Sequence, residues 1–163
     1  MTSAPYRAAV VTVSNSAAAG RTDDRSGSIL NERLTGLGFD VAARIVVPDG
    51  IESVEEALMG LVPNHDLIVT TGGTGLSPTD LTPEGTLRVI DRAVPGLAEA
   101  MRAATFGKIP FGMLSRGVSG VAGTCLIINL PGSPKAVSEG LDVIGEALDH
   151  AVAIATGDFG RHD

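Results

Sequence analysis

Residues 66–86 read DLIVTTGGTGLSPTDLTPEGT. An apolar, β-branched run stops at Thr71, and Gly72, Gly73 and Gly75 follow almost at once. After a polar stretch a Thr-Pro pair opens a new segment at Thr82. β-Branched residues favour a strand. A hydroxyl before a proline favours a helix start, with Pro at the first helical position. The stretch therefore predicts a strand, a glycine-rich loop and a helix.

The same unit recurs along the chain. Arg7–Ser14 (RAAVVTVS), Val41–Val47 (VAARIVV), Asp66–Thr71 (DLIVTT) and Thr124–Leu130 (TCLIINL) read as strands. Their hydrophobicity is mostly continuous, as expected of parallel strands covered on both faces. Helical patterns fall between them at Ser26–Leu37, Ser53–Leu61, Thr82–Arg92, Pro95–Phe106 and Ser133–Thr156. The last places Val137, Leu141, Ile144, Leu148, Ala151 and Ala155 at spacings of three or four, which predicts one buried face. Ser53 and Glu56 form a capping-box pattern. Phe111–Gly123 reads as either a hairpin or an irregular loop. Alternation of this kind predicts a single α/β domain over residues 1–163. It has three layers, a mostly parallel sheet with helices on both faces.

Length and composition bound the function. A chain of 163 residues buries roughly 70% of its unfolded surface and needs no metal or disulfide staple. The net charge is −7, with no basic stripe, which speaks against nucleic-acid binding. Cys125 is the sole cysteine, so no internal disulfide forms and a core thiol is expected. No run approaches the ~18 apolar residues of a membrane span, and MTSAPYRAAVV does not read as a leader. The expected location is the cytoplasm, away from membranes.

Ligands of open α/β sheets bind beyond the carboxyl ends of the strands. Here the post-strand segments are VSNSAAAGRTDDRSG, VVPDG, TTGGTGLSPTD and NLPGSPK. All are rich in Gly, Ser, Thr, Asp or Pro, and parallel pairing would gather them on one rim that includes Ser14. The glycines do not fit G-x-G-x-x-G, and no G-x-x-x-x-G-K-[ST] exists, so dinucleotide and P-loop fingerprints fail. A short nest of converging amides remains, suited to an anion. Asp80 reads either as a helper cap for the Thr82 helix or as a magnesium ligand. Asp49 reads either as a Pro-Asp-Gly turn or as a second carboxylate. Magnesium takes one or two carboxylates plus phosphates and water, so the pattern points to metal-assisted phosphoryl or nucleotidyl transfer. Arg116 is either a phosphate contact or a surface residue. Asp23, Asp24, Arg25 and Ser26 are assigned to capping, and His65, His150 and His162 to the surface. No Ser-His-Asp arrangement supports hydrolysis by a triad.

TTGGTG with Ser-Pro-x-Asp-x-Thr-Pro-Glu, PGLAEAMR, MLSRGVSGV and LIINLPGSPKAV, in that order, resembles the molybdenum-cofactor biosynthesis family of MogA and MoaB. The resemblance extends to the G domain of gephyrin and its plant counterpart, and spans about Arg7 to Ala151. It implies the molybdopterin-binding fold and a molybdopterin adenylyltransferase that uses MgATP. A homotrimer and contact with a molybdate-insertion enzyme are implied as well. Asp80 and Asp49 match the family's two aspartates, implied in catalysis and in handling magnesium and pyrophosphate. Gly72, Gly73, Thr74 and Gly75 match the cradling loop. Ser115, Pro131, Gly132 and Ser133 match substrate-side positions, and Thr105 falls where relatives carry a hydroxyl near the pterin. Asn15 stands where relatives read Asp, with Asp23 or Asp24 as candidates to replace the charge, and Thr79 stands where many carry Arg. The alternatives are a non-catalytic molybdopterin carrier and a nucleotide-processing domain of the CinA type. The LSR and LPGSP segments argue against the latter.

Overall fold

The computed structural model describes residues 4–161. His162 lies outside the described residues.

Four strands form the parallel heart of the sheet: β1 (Arg7–Val13), β2 (Asp40–Val47), β3 (Leu67–Thr71) and β6 (Cys125–Leu130). Two short antiparallel strands, β4 (Arg92–Ala93) and β5 (Ser119–Ala122), extend it to the order β2-β1-β3-β6-β5-β4. Alternate residues of each central strand enter opposite cores, as the two-residue period of a strand requires. Ala8, Val10, Leu67, Val69, Leu126 and Ile128 pack to one side. There they meet Leu30 and Leu34 of α2 (Arg25–Gly36), Leu97 and Met101 of α5 (Pro95–Thr105), and the inner face of α6 (Pro134–Thr156). Ala9, Val11, Ile68 and Ile127 face the other side, against Val54 and Leu58 of α3 (Ile51–Leu61). The helix α4 (Thr82–Leu87) packs beside α3. Covering on both faces is why the central strands read as continuous apolar runs. The edge strand β2 alternates exposed and half-buried positions.

The order reverses at β1. The chain leaves β1 for β2 on one side and returns as β3 on the other. Connections from β1 and β3 therefore diverge, opening a crevice beyond their carboxyl ends.

Several local expectations are corrected. Phe111–Gly123 resolves into a short helical turn over Pro110–Leu114 followed by β5, which forms a hairpin with β6 through Gly123 and Thr124. β4 carries no periodic signal because it is only two residues long. The Ser53–Glu56 capping box does not form. α3 begins at Ile51 behind Gly50, and the Ser53 hydroxyl donates to the carbonyls of Pro48 (2.6 Å) and Gly50 (3.1 Å). Thr82 is not a cap either: Leu81 holds that place and Thr82 is fully buried within the helix, which ends at Leu87 rather than Arg92. Asp24, by contrast, caps α2 by accepting from the Gly27 amide (3.0 Å). His65 is half-buried rather than a surface residue, its Nδ1 bonded to the Leu61 carbonyl (2.8 Å). His150 is exposed, as expected.

Cys125 is wholly buried, and burial pushes its thiol up to about 12. The thiolate is the reactive species. The folded protein should therefore be inert to Ellman's reagent at about pH 8 and titrate one thiol only after denaturation. Fast reaction of the native protein would show that this core position opens.

Candidate active site

β3 ends by turning sharply at two glycines. Gly72 and Gly73 adopt φ of +99° and +69°, a region that favours glycine. The turn is also crowded. A Cβ on Gly72 would overlap the Val13 carbonyl at the end of β1. A Cβ on Gly132, after β6, would come within 3.2 Å of the Gly72 Cα. The Gly72 amide donates to the Leu130 carbonyl (3.1 Å), and the Thr71 hydroxyl donates to the Pro131 carbonyl (2.7 Å). The ends of β1, β3 and β6 are thus held together at one point.

A buried polar relay supports this point from below. Asn129, on β6, is 1% exposed. Its amide donates to the hydroxyls of Thr70 and Thr86 (both 3.0 Å), and its Oδ1 accepts from the Val118 amide (3.2 Å). Thr86 donates to the Thr82 carbonyl (2.8 Å), and Thr82 donates to the Gly72 carbonyl (2.8 Å). Each buried polar group thereby has a partner, which avoids the penalty of roughly 1–3 kcal/mol for leaving one unmade.

Beyond the turn, the amides of Gly73, Thr74 and Gly75 find no acceptor among the described residues. Thr74 is nevertheless 5% exposed. Unspent amides grouped this way are the donors of an anion nest.

Two clefts meet here. The larger, of about 990 Å³, runs from the glycine loop to α5 and the start of α6. Thr105, Ser115, Pro131 and Ser133 line it, together with Arg102 and Lys135. The smaller, of about 390 Å³, is lined by Ser14, Asp23, Asp49 and Gly72, among others. Gly73, Asp80 and Gly132 line both. All the residues expected at the site thus fall on these two clefts.

Their local roles differ from residue to residue. Ser14 caps the single-turn helix α1 (Asn15–Ala18), its Oγ accepting from the Ala17 amide (3.2 Å). Ser133 caps α6 through the Ala136 amide (3.1 Å). The Thr105 hydroxyl donates to the Arg102 carbonyl (2.7 Å), so its proton is committed to its own helix. Asp80 is not a helper cap for α4. Its carboxylate accepts from the Ser77 amide (3.0 Å) inside its own loop. Asp49 and Asn15 clasp each other: the Asp49 amide donates to Asn15 Oδ1 (2.9 Å), and the Asn15 amide donates to Asp49 Oδ2 (3.2 Å). Asp24 does not replace a charge missing at position 15. Its carboxylate is spent on Gly27, on the Thr12 hydroxyl (2.9 Å) and on Arg44 (3.1 Å).

Asp49 and Asp80 both face the smaller cleft beside the glycine loop. Asp49 Oδ1 would lie 3.2 Å from a Cβ on Gly73, and Asp80 Oδ2 2.8 Å from one on Gly75. Among the described residues no group of three or more His, Cys, Asp or Glu is placed to hold a metal. Two hard carboxylates next to unspent amides suit a cation that completes its shell with ligand oxygens and water.

Arg116 is neither a free surface residue nor part of a cleft wall. It donates to the carbonyls of Gly75 (2.8 Å) and Asp80 (2.6 Å) and pairs with Glu84. The Arg116 hydrogen bond holds the Glu84 carboxyl below its ordinary 4.5. Thr82, Glu84, Thr86 and Asn129 escaped the sequence reading as site residues, and the sequence marks Arg116 only as a phosphate contact or a surface residue. Their contacts join segments up to 59 residues apart, and no local pattern records that.

Residues 9–150 match the family described as "Probable molybdopterin binding domain". The chain is similar to the molybdopterin adenylyltransferase of Helicobacter pylori strain J99, at 34% identity over 157 residues, 92% of this chain and 88% of that one. Among solved structures it is similar to the molybdopterin biosynthesis enzyme MoaB of Thermus thermophilus. There the TM-score is 0.88 at 44% identity, covering 93% of this chain and 97% of that one. The molybdopterin biosynthesis Mog protein of Mycobacterium ulcerans gives a TM-score of 0.87 at 48% identity, covering 92% and 99%.

Two outcomes follow for stability. Gly72→Ala combines an unfavourable φ with overlap on Val13 and should cost roughly 2–4 kcal/mol in urea unfolding. A loss under about 0.5 kcal/mol would mean the strand ends are not tightly joined. The Glu84 carboxyl is lowered on folding, so its pairing stabilises fully above pH 4.5 and is lost as pH falls through the lowered value. Glu84→Gln should flatten that acid segment of the stability curve, as read by urea midpoints below pH 4.5.

Proposed function

The chain belongs to the molybdopterin-binding family that includes MogA and MoaB, and from that premise we propose that it is a molybdopterin adenylyltransferase. The observation that carries this reading is the pair of adjoining clefts sharing Gly73, Asp80 and Gly132, with the unspent amides of Gly73, Thr74 and Gly75 at the glycine loop. A transfer between two phosphorylated substrates needs both at one anion site, and a shared wall supplies it.

In this reaction an oxygen of the molybdopterin terminal phosphate forms a bond to the α-phosphorus of ATP. The bond from that phosphorus to the bridging oxygen breaks, and pyrophosphate leaves with the electron pair. We assign the larger cleft, with its Met101 and Ile109 walls, to the pterin. The smaller, polar one is assigned to the nucleotide phosphates. The amides of the glycine loop bind phosphoryl oxygens, and their fixed directions orient the two anions in line. Asp49 and Asp80 would hold magnesium, which when bound neutralises charge between the anions. Asn15 keeps Asp49 aimed without adding a further negative charge to a cleft already lined by Asp23, Asp24, Asp49 and Asp80. The setting we infer from the resemblance is a cytoplasmic homotrimer that passes its product to a molybdate-insertion enzyme. No helix among the described residues is long and apolar enough to cross a membrane.

Purified protein should release pyrophosphate from MgATP only when molybdopterin is present. Asp80→Asn and Asp49→Asn should each lower turnover by about 10²–10³-fold, with folding and pterin binding intact. Calorimetric binding of molybdopterin by a folded protein that never forms the adenylylated product would reduce it to a carrier.

A further inference from the structure

Glu84 and Arg116 belong to two of the segments that carry the family resemblance, yet neither lines a cleft. The residues on either side of Arg116 do: Ser115 and Gly117 both face the larger one. The guanidinium is committed to two loop carbonyls and to Glu84, which favours a structural role over a phosphate contact.

What it touches is the loop that carries Asp80. Nε donates to the Gly75 carbonyl (2.8 Å) and Nη2 to the Asp80 carbonyl (2.6 Å), so one planar fork closes both ends of residues 75–80. The Arg116 amide donates to the Thr74 carbonyl (2.8 Å), fixing the fork's own root to the same loop. Glu84, on α4, takes Nη1 and also Nη2 (3.4 Å), and this sets the plane of the fork. From the opposite side Arg102 of α5 donates to the Gly117 (2.8 Å) and Ser115 (3.4 Å) carbonyls.

The loop has little else to fix it. Leu76, Ser77, Pro78 and Thr79 are exposed. Within the loop, Asp80 bonds through its amide to the Ser77 carbonyl (2.9 Å), and its carboxylate takes the Ser77 amide. Such a turn sets the shape of the loop but not its position over the cleft. A segment without buried apolar contacts is held only by its polar anchors.

We propose that Arg116, aligned by Glu84, is a positioning residue that places the Asp80 carboxylate at the junction of the two clefts. This rests on the assignment of Asp80 to adenylyl transfer. Lysine cannot replace the fork, because an ammonium is a point donor that does not bridge two carbonyls and a carboxylate in one plane. A misplacement near 1 Å costs roughly 10²-fold in rate.

The test compares Arg116→Lys, Glu84→Gln, Asp80→Asn and the Arg116→Lys/Asp80→Asn double variant. Affinity for ATP with Mn²⁺ as the spin probe is read by electron paramagnetic resonance, alongside kcat, KM and amide exchange of Leu76, Ser77, Thr79 and Asp80. Arg116→Lys should weaken Mn·ATP binding about tenfold and lower kcat, with KM for molybdopterin unchanged. In the double variant it should add nothing to the loss caused by Asp80→Asn. Exchange in the loop should rise while that of β3 does not. Should Arg116→Lys fail to fold, Glu84→Gln carries the same comparison with smaller losses. Wild-type Mn·ATP binding by Arg116→Lys beside an impaired Asp80→Asn would overturn the proposal alone. So would multiplying losses in the double variant, or a raised KM for molybdopterin at constant kcat. An unimpaired Asp80→Asn overturns the Asp80 assignment and this proposal together.

Discussion

Three strand ends converge on a glycine with no side chain, and the site is organised around that contact. The Gly72 backbone lies against the Val13 carbonyl, with the Gly132 backbone close beside it. A methyl group at position 72 would push β3 away from β1. Because the sheet order reverses at β1, this is also where the crevice opens. The close approach brings the loops after β1, β3 and β6 onto the walls of one small cleft.

Close approach alone does not fix the direction of a glycine-rich segment, since glycine carries the greatest conformational freedom of any residue. The direction comes from hydrogen bonds on either side. Below, Asn129, Thr86 and Thr82 reach from the middle of the sheet to the Gly72 carbonyl. Above, Arg116 binds the loop that follows. The nest amides are left unspent while the neighbouring carbonyls are satisfied. That division spares the carbonyls a buried polar penalty and leaves the amides as the donors still to be matched.

The two carboxylates are held by different means. Asp49 is fixed by its reciprocal bonds with Asn15. Asp80 is shaped by its own turn, and its loop is tied to the fork of Arg116. Each is mounted on a separate strand end, and both face one pocket. Asn15 meets the same geometric need as an aspartate, since only its carbonyl oxygen is used toward the Asp49 amide. It leaves the rim less negative.

The sequence by itself determined the α/β class, the four parallel strands and the rim of post-strand loops that carries the candidate site. These follow from local physics: β-branched apolar runs that stay continuous under two helical layers, and apolar spacings of three or four between them. It also marked Asp49, Asp80 and the glycine loop, because unusual residues stood at strand ends. Only the tertiary structure decided that Thr82 is a buried prop rather than a cap. It also showed that Asp24 is spent on structure, and that two short antiparallel strands complete the sheet. Above all, it turned Arg116 from a candidate anion contact into a clasp on the Asp80 loop. Each of these depends on partners far apart in the chain, such as Arg116 with Gly75 and Asn129 with Thr70. The pattern around a residue records its own backbone preference but not which distant carbonyl its donors will meet.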